Sequence, residues 1–326
     1  MCIEVFLERV CYFGVRTLLV ASLLSVAAGC STLRSEPQWT LLQTPTAQFI
    51  VQENTRPVAG WAGRVSWFRP VLEEIVGPMD EVDHTIVYLL IARRDEYLEY
   101  FPKTESIGVH RHSNGVSVVL IDASQPAEVV IATLMHEYAH YYFEAREGPD
   151  VPLWYEEGIA EYAEAVTVDE NGVTMGLVST AATDALRASA LMPLPLLLST
   201  TKADSRYLDP DEAGSFHLSA WALFHYFRHG VPGGRDMLQR YLDAVAAGAA
   251  PRQALGRVYG KPAGALDKDL RRYLASGNFT TDFIALDRFR VARPVVWTEP
   301  LDEESSYDVR SMLDSMKRYY EEKGAR

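Results

Sequence analysis

The sequence predicts an α+β fold: a small N-terminal β-sheet layer packed on a pair of helices, followed by a mainly helical C-terminal part. Three observations carry this. Short β-branched and apolar runs crowd residues 38–121. Two helical patterns fill Val129 to Glu164, with apolar residues recurring every three or four positions. Further helical stretches run from Ser215 to about Asn278, punctuated by Gly248, Gly256 and Gly260.

Composition narrows the function. The chain has 326 residues, 48% hydrophobic and 23% charged, which is ordinary for a globular protein and ample for one core. Its net charge of -13 argues against nucleic acid as a partner, because nothing neutralises phosphates. Cys2, Cys11 and Cys30 are its only cysteines, so the body beyond them has no disulfide. A metal held in that body must be bound by N and O atoms.

Residues 1–30 read as an export signal. Arg9 and Arg16 precede an apolar run from Thr17 to Ala28, which is too short to span a bilayer comfortably. Its end, Ser25-Val26-Ala27-Ala28-Gly29-Cys30, resembles a bacterial lipobox, with Ala27 where Leu is commoner. The resemblance implies a lipid on Cys30 and a membrane tether over residues 31–38. Ser31 after the cysteine implies the outer membrane if the cell is Gram-negative.

The strand layer follows. Trp39–Leu42 and Gln48–Val51 are short strands, Ala59–Val76 a helix stopped by Gly77-Pro78, and His84–Ile91 a buried strand. Asp95–Phe101 is a short helix. Val116–Ile121 is a further strand, entered through the turn Ser113-Asn114-Gly115. His110 and His112 are two apart and share a strand face. They leave two readings, a second metal site or a solvated hairpin tip, of which the tip is favoured.

The helix pair carries the chemistry. His136-Glu137-Tyr138-Ala139-His140 is an H-E-x-x-H pattern. Residues four apart stack on one helix face, so both imidazoles point the same way, as two ligands of one metal must. Glu137 lies about 100° round the helix, which suits it to hold a water at the metal rather than to bind the metal. Asp122 or Ser124 caps this helix, Pro126 suits its first turn, and Gly148-Pro149 stops it. The second helix starts near Pro152 and carries Glu157 and Glu161 on one face. Gly158 and Ala160 are small enough to let it approach the first closely.

HEYAH followed by LWYEEGIAEY resembles the gluzincin metallopeptidases, in particular the small bacterial peptidase-MA-like families. The resemblance spans about residues 45–278, and only its helix pair is highly specific. It implies a peptidase domain over residues 39–280 that holds one zinc ion. Glu157, just before Gly158, matches the third zinc ligand beside His136 and His140, and Glu161 matches the acid that orients a zinc-bound histidine. Glu137 is the general base. Sixteen residues separate His140 from Glu157, slightly fewer than in the related zinc aminopeptidases. Metzincins are excluded, since Phe143 and Arg146 stand where Gly and His are required. The resemblance further implies that Val116–Ile121 is the sheet edge beside the cleft, paired with extended substrate. It also implies an oxyanion donor ahead of Ser219. Phe216 has no donor, so His217 is the expected residue, with Tyr207 the weaker candidate. The implied function is hydrolysis of peptide bonds in a peptide or protein substrate. A zinc-containing binding lipoprotein and a peptidoglycan amide hydrolase are the alternatives.

Beyond the pair, Val166–Met175 is a hairpin through Asn171-Gly172, Thr183–Ala190 a helix, and Met192–Leu198 an apolar core segment. Ser215–His229 is a helix whose His225 and His229 are read as structural, with His229 suited as a cation to the helix C-terminus. Residues 281–326 are a polar extension in which Ser305–Lys323 forms a surface helix.

Overall fold

The computed structural model describes residues 38–53, 55, 58–78, 85–101, 106–113, 115–146, 150–178, 186, 191–285, 287 and 297–322. The export signal with Cys30, the tether to residue 37, the Gly148-Pro149 stop and all but one residue of the helix expected over Thr183–Ala190 lie outside these residues.

Six strands form one mixed sheet: β1 (Trp39–Gln43), β2 (Gln48–Gln52), β3 (Thr85–Ile91), β4 (Gly108–Ser113), β5 (Val116–Asp122) and β9 (Trp297–Pro300), in the order β4-β5-β3-β2-β1-β9. β2, β3 and β5 run parallel and the outer pairings are antiparallel. Strands covered on both faces read as continuous apolar runs, which is why Thr85–Ile91 is unbroken. Its Ile86, Tyr88 and Leu90 face the main core, whereas Val87, Leu89 and Ile91 face a second one.

The main core lies under α1 (Ala59–Val65), α2 (Phe68–Val76), α4 (Ala127–Ala145) and α5 (Leu153–Glu164). Tyr88 ties the sheet to α4 by donating to the Leu134 carbonyl at 3.0 Å. The single helix expected over Ala59–Val76 is broken at Ser66-Trp67. Pro70 has no N–H to bond back to the Ser66 carbonyl, and the Ser66 hydroxyl bonds the Ala62 carbonyl at 3.1 Å, sharing it with the Ser66 N–H at 3.3 Å.

The second core lies under α3 (Arg94–Tyr100) and the C-terminal helix α12 (Glu303–Glu322). The C-terminal segment is therefore not a polar appendage. β9 pairs with β1, and α12 buries Val309, Met312, Leu313 and Met316, a stripe at i, i+3, i+4 and i+7, against the sheet. At roughly 1.5–3 kcal/mol per fully buried apolar side chain, that stripe fixes the helix in place.

The helical part follows α5: α6 (Leu194–Ser199), α7 (Ser205–Leu208), α8 (Pro210–His225), a π turn over Tyr226–Gly230, then α9 (Gly234–Ala246), α10 (Pro251–Tyr259) and α11 (Ala263–Ser276). The helix expected over Ser215–His229 thus changes pitch at its last turn. The hairpin of β6 (Thr167–Val168) and β7 (Gly172–Met175) forms as expected and gains β8 (Asp282–Ala285) as a third strand.

Two expectations about close packing are corrected. Val116–Ile121 is an interior strand; the edge is β4, joined to it by the turn at Gly115. Gly158 serves the approach of α5 to α8 rather than to α4, since a Cβ there would lie 2.7 Å from the Ala220 carbonyl oxygen.

Candidate metal centre

α4 turns His136 and His140 to one face, with their Nε2 atoms 3.1 Å apart. Each Nδ1 is held by a carboxylate of α5. His136 Nδ1 lies 2.8 Å from Glu164 Oε1, and His140 Nδ1 lies 2.9 Å from Glu156 Oε1. An ionised carboxylate only accepts, so in the neutral form that binds metal each imidazole carries its proton on Nδ1 and presents a lone pair at Nε2. The two lone pairs face each other.

Glu157 completes the arrangement. Its side chain is fully buried; Oε1 accepts the Tyr207 hydroxyl at 2.7 Å, and Oε2 has no hydrogen-bond partner. That oxygen lies 3.6 Å from His136 Nε2 and 3.5 Å from His140 Nε2. Ligands about 2.0–2.1 Å from a tetrahedral zinc are about 3.3 Å apart. The triangle of 3.1, 3.5 and 3.6 Å therefore has the size of one face of a zinc tetrahedron. Three electron pairs aimed at one point in a buried setting repel one another unless a cation sits there, so the donor set fits the metal.

Without a cation the surrounding carboxylates favour protonated imidazoles, so positive charge collects where a bound metal would supply it. Burial works against ionised Glu157, but the charge of His140 outweighs it and holds the carboxyl well below its ordinary range. Burial likewise opposes a charged His136, yet the Glu164 hydrogen bond raises it to about 9. His140 is raised for the same reason, by Glu157 and Glu156 against its burial.

Glu137 lies beside this triangle, tucked under β4. Gly108 makes room: a Cβ there would lie 2.6 Å from Thr133 Cγ2 and 3.0 Å from Glu137 Oε1. Burial raises the proton affinity of Glu137, and His136 and His140 partly offset this.

His217 enters from α8. Its Nδ1 is 2.9 Å from Glu161 Oε1 and 3.3 Å from Glu157 Oε2. Burial lowers its proton affinity, but the Glu161 hydrogen bond and the Glu157 charge raise it above the usual histidine value. The ring of Tyr207 stacks on it, centroids 5.9 Å apart. Tyr207 is thus engaged as a donor to the candidate ligand Glu157, which is not the oxyanion position weighed for it. Glu161 also differs from expectation. It lies 3.8 Å from His136 Nδ1 and bonds His217, while Glu164 holds His136. The same cluster offers two further donor sets, His136 with Glu157 and His217, and His136 with Glu161 and Glu164.

Sequence reasoning missed Glu156 and Glu164. It also misjudged His110, which is not at a solvated tip. Only 13% of that side chain is exposed, and it sits between Glu137 and Glu144. The signal was the shared face of His110 and His112 on what proved to be the edge strand.

His225 and His229 are structural. His225 Nε2 donates to the Gly176 carbonyl at 3.1 Å, and its Nδ1 accepts the Tyr273 hydroxyl at 2.8 Å. His229 Nε2 meets the Tyr162 hydroxyl at 2.9 Å. Burial first, then the neighbouring His225, pulls His229 down to about 4, so it is neutral and not the helix-terminal cation the sequence suggested.

No family model matches the chain, and no curated protein matches it.

Proposed function

We propose that the chain is a zinc metallopeptidase of the gluzincin kind, resembling the peptidase-MA-like families in its motif pattern, acting on peptide or protein substrates. One observation carries this reading: the unpartnered Glu157 Oε2 facing the Nε2 atoms of His136 and His140, with Glu137 alongside. The mixed sheet followed by helices is compatible with that architecture.

His136, His140 and Glu157 would hold one Zn2+, oriented through Glu164, Glu156 and Tyr207. When bound, zinc would supply Lewis acidity, lowering the proton affinity of a water and polarising the scissile carbonyl. Glu137 takes the proton from the attacking water and passes it to the leaving amine. Its raised proton affinity suits both transfers. His217, favoured as an imidazolium by Glu161 and Glu157 against its burial, would donate from Nε2 to the developing oxyanion. β4, rather than β5, is the edge along which extended substrate would lie.

The lipobox-like run to Cys30 supports a lipid tether in the bacterial envelope, facing the periplasm if the cell is Gram-negative. Among the described residues no helix is long and apolar enough to cross a membrane. Loss of lipid labelling in Cys30→Ser checks the tether.

The function is tested by profiling peptide cleavage with the full-length protein and its Glu137→Gln variant. The variant should keep its zinc and fold and lose about a hundredfold or more in hydrolysis. Equal cleavage by both forms would leave a zinc-containing binding protein as the reading.

A further inference from the structure

β4 and α4 bring together a second cluster of side chains of metal-ligating type, distinct from the first. His110 and His112 leave the strand on the same face. Glu144 lies on α4 seven residues after Glu137, two turns further along. Glu144 Oε2 is 3.4 Å from His110 Nε2 and 3.3 Å from His112 Nδ1. Ser117 Oγ donates to the same oxygen at 3.0 Å and lies 2.9 Å from His112 Nδ1.

His110 Nε2 is buried and has no hydrogen-bond partner, because its contact with Glu144 is misdirected for one. Glu157 Oε2, in the first centre, is in the same condition. A lone hydrogen-bonded network accounts for His112, Ser117 and Glu144, but it leaves His110 unexplained.

The spacing distinguishes the possible occupants. An ammonium group bonding two acceptors at about 2.9 Å along tetrahedral directions needs them about 4.7 Å apart. A tetrahedral ion with ligands at about 2.0–2.1 Å needs about 3.3 Å. The two distances to Glu144 Oε2, 3.3 and 3.4 Å, match the ion. With Ser117 donating to Glu144, His112 Nδ1 donates its proton to Ser117 Oγ, so an ion entering here displaces that proton. Imidazoles with one carboxylate suit zinc and similar borderline cations better than magnesium or calcium, which prefer all-oxygen sites.

We propose that His110, His112 and Glu144 form a second divalent-cation site beside the first. It shares no ligand with the His136, His140 and Glu157 set. An ion there ties the edge strand to α4. It also fixes His110, whose Nδ1 is 3.9 Å from Glu137 Oε2, against the base.

The test is stoichiometric and needs no substrate. The full-length protein, stripped of metal by chelation, is titrated with Co2+ followed by its visible absorption, and with Zn2+ followed by elemental analysis. The wild type should take two equivalents, and Glu144→Gln and His110→Gln one each. Glu157→Ala should keep the equivalent that Glu144→Gln loses. If Glu144→Gln is misfolded by circular dichroism, His112→Asn, on a more exposed residue, gives the same readout. A wild type that saturates at one equivalent, lost in Glu157→Ala and retained in Glu144→Gln, overturns the second site and leaves the first standing. One equivalent lost only in Glu144→Gln does the reverse.

Discussion

Two histidine pairs at the same spacing flank α5. His136 and His140 lie on α4; His225 ends α8, and His229 is in the π turn after it. Helical periodicity treats them alike. Their partners do not. The first pair meets carboxylates at Nδ1 and turns both Nε2 atoms toward Glu157. Both nitrogens of His225 are used, one by a backbone carbonyl and one by a hydroxyl, and His229 binds a hydroxyl. No lone pairs converge there. A spacing of four brings two imidazoles together, but what surrounds them decides whether they can bind a metal.

The largest way to break the comparison is Glu157→Ala. It should remove the zinc equivalent that Glu144→Gln keeps and abolish hydrolysis, measured by elemental analysis and peptide cleavage, whereas His225→Gln should leave the zinc content of the folded fraction unchanged. Full zinc in Glu157→Ala would mean that the two pairs are equivalent after all.

A smaller effect should come from the groups that orient the first pair. Glu156→Gln, Glu164→Gln and Tyr207→Phe should each weaken zinc affinity by about 10–100-fold, read by competition with a chromogenic chelator. The structure makes Glu156 more than a neutral control for Glu157, because its Oε1 bonds His140 and also Lys202 at 3.0 Å. Wild-type affinity in all three variants would remove the orienting role.

The smallest effect belongs to the second pair and is a pH dependence. His229 is held at about 4 in the fold, against about 6.5 in an unfolded chain. Between these values the unfolded state binds more protons, so stability is complete above about 6.5 and falls as pH drops toward 4. His229→Gln should flatten that part of the difference in urea midpoint between pH 7 and 5. An identical pH profile in the variant would show that His229 is not buried neutral.

Much of the helix pair was legible because its signals are local. His136, Glu137 and His140 are set by one helical turn; the cap was not, since Pro126 itself is the N-cap of α4 and neither Asp122 nor Ser124 makes a side-chain cap bond. β4 was harder to see. Gly108-Val109-His110-Arg111-His112-Ser113 has one apolar residue, Val109, and the strand exists because β5 supplies its ladder and Gly108 fits against Glu137. The α12 stripe was visible as Val309, Met312, Leu313 and Met316, but its mostly polar composition hid the face it buries.

By itself, then, the sequence determined the mixed fold, the order of strands before helices, and two histidines and a glutamate on adjoining helical turns. These follow from periods of 2 and 3.6 residues, which act over a few residues and leave their mark in composition. The tertiary structure decided which acid meets which histidine. Glu156, Glu157, Glu161 and Glu164 follow one another within nine positions, and sequence spacing cannot rank them. The crossing of α5 over α4 and the entry of α8 send Glu156 to His140, Glu164 to His136 and Glu161 to His217. That leaves Glu157 Oε2 without a hydrogen bond, 3.3 Å from His217 Nδ1 and beside both Nε2 atoms. The reason is physical: a hydrogen bond is decided within a few tenths of an ångström, and only packed helices fix positions that finely.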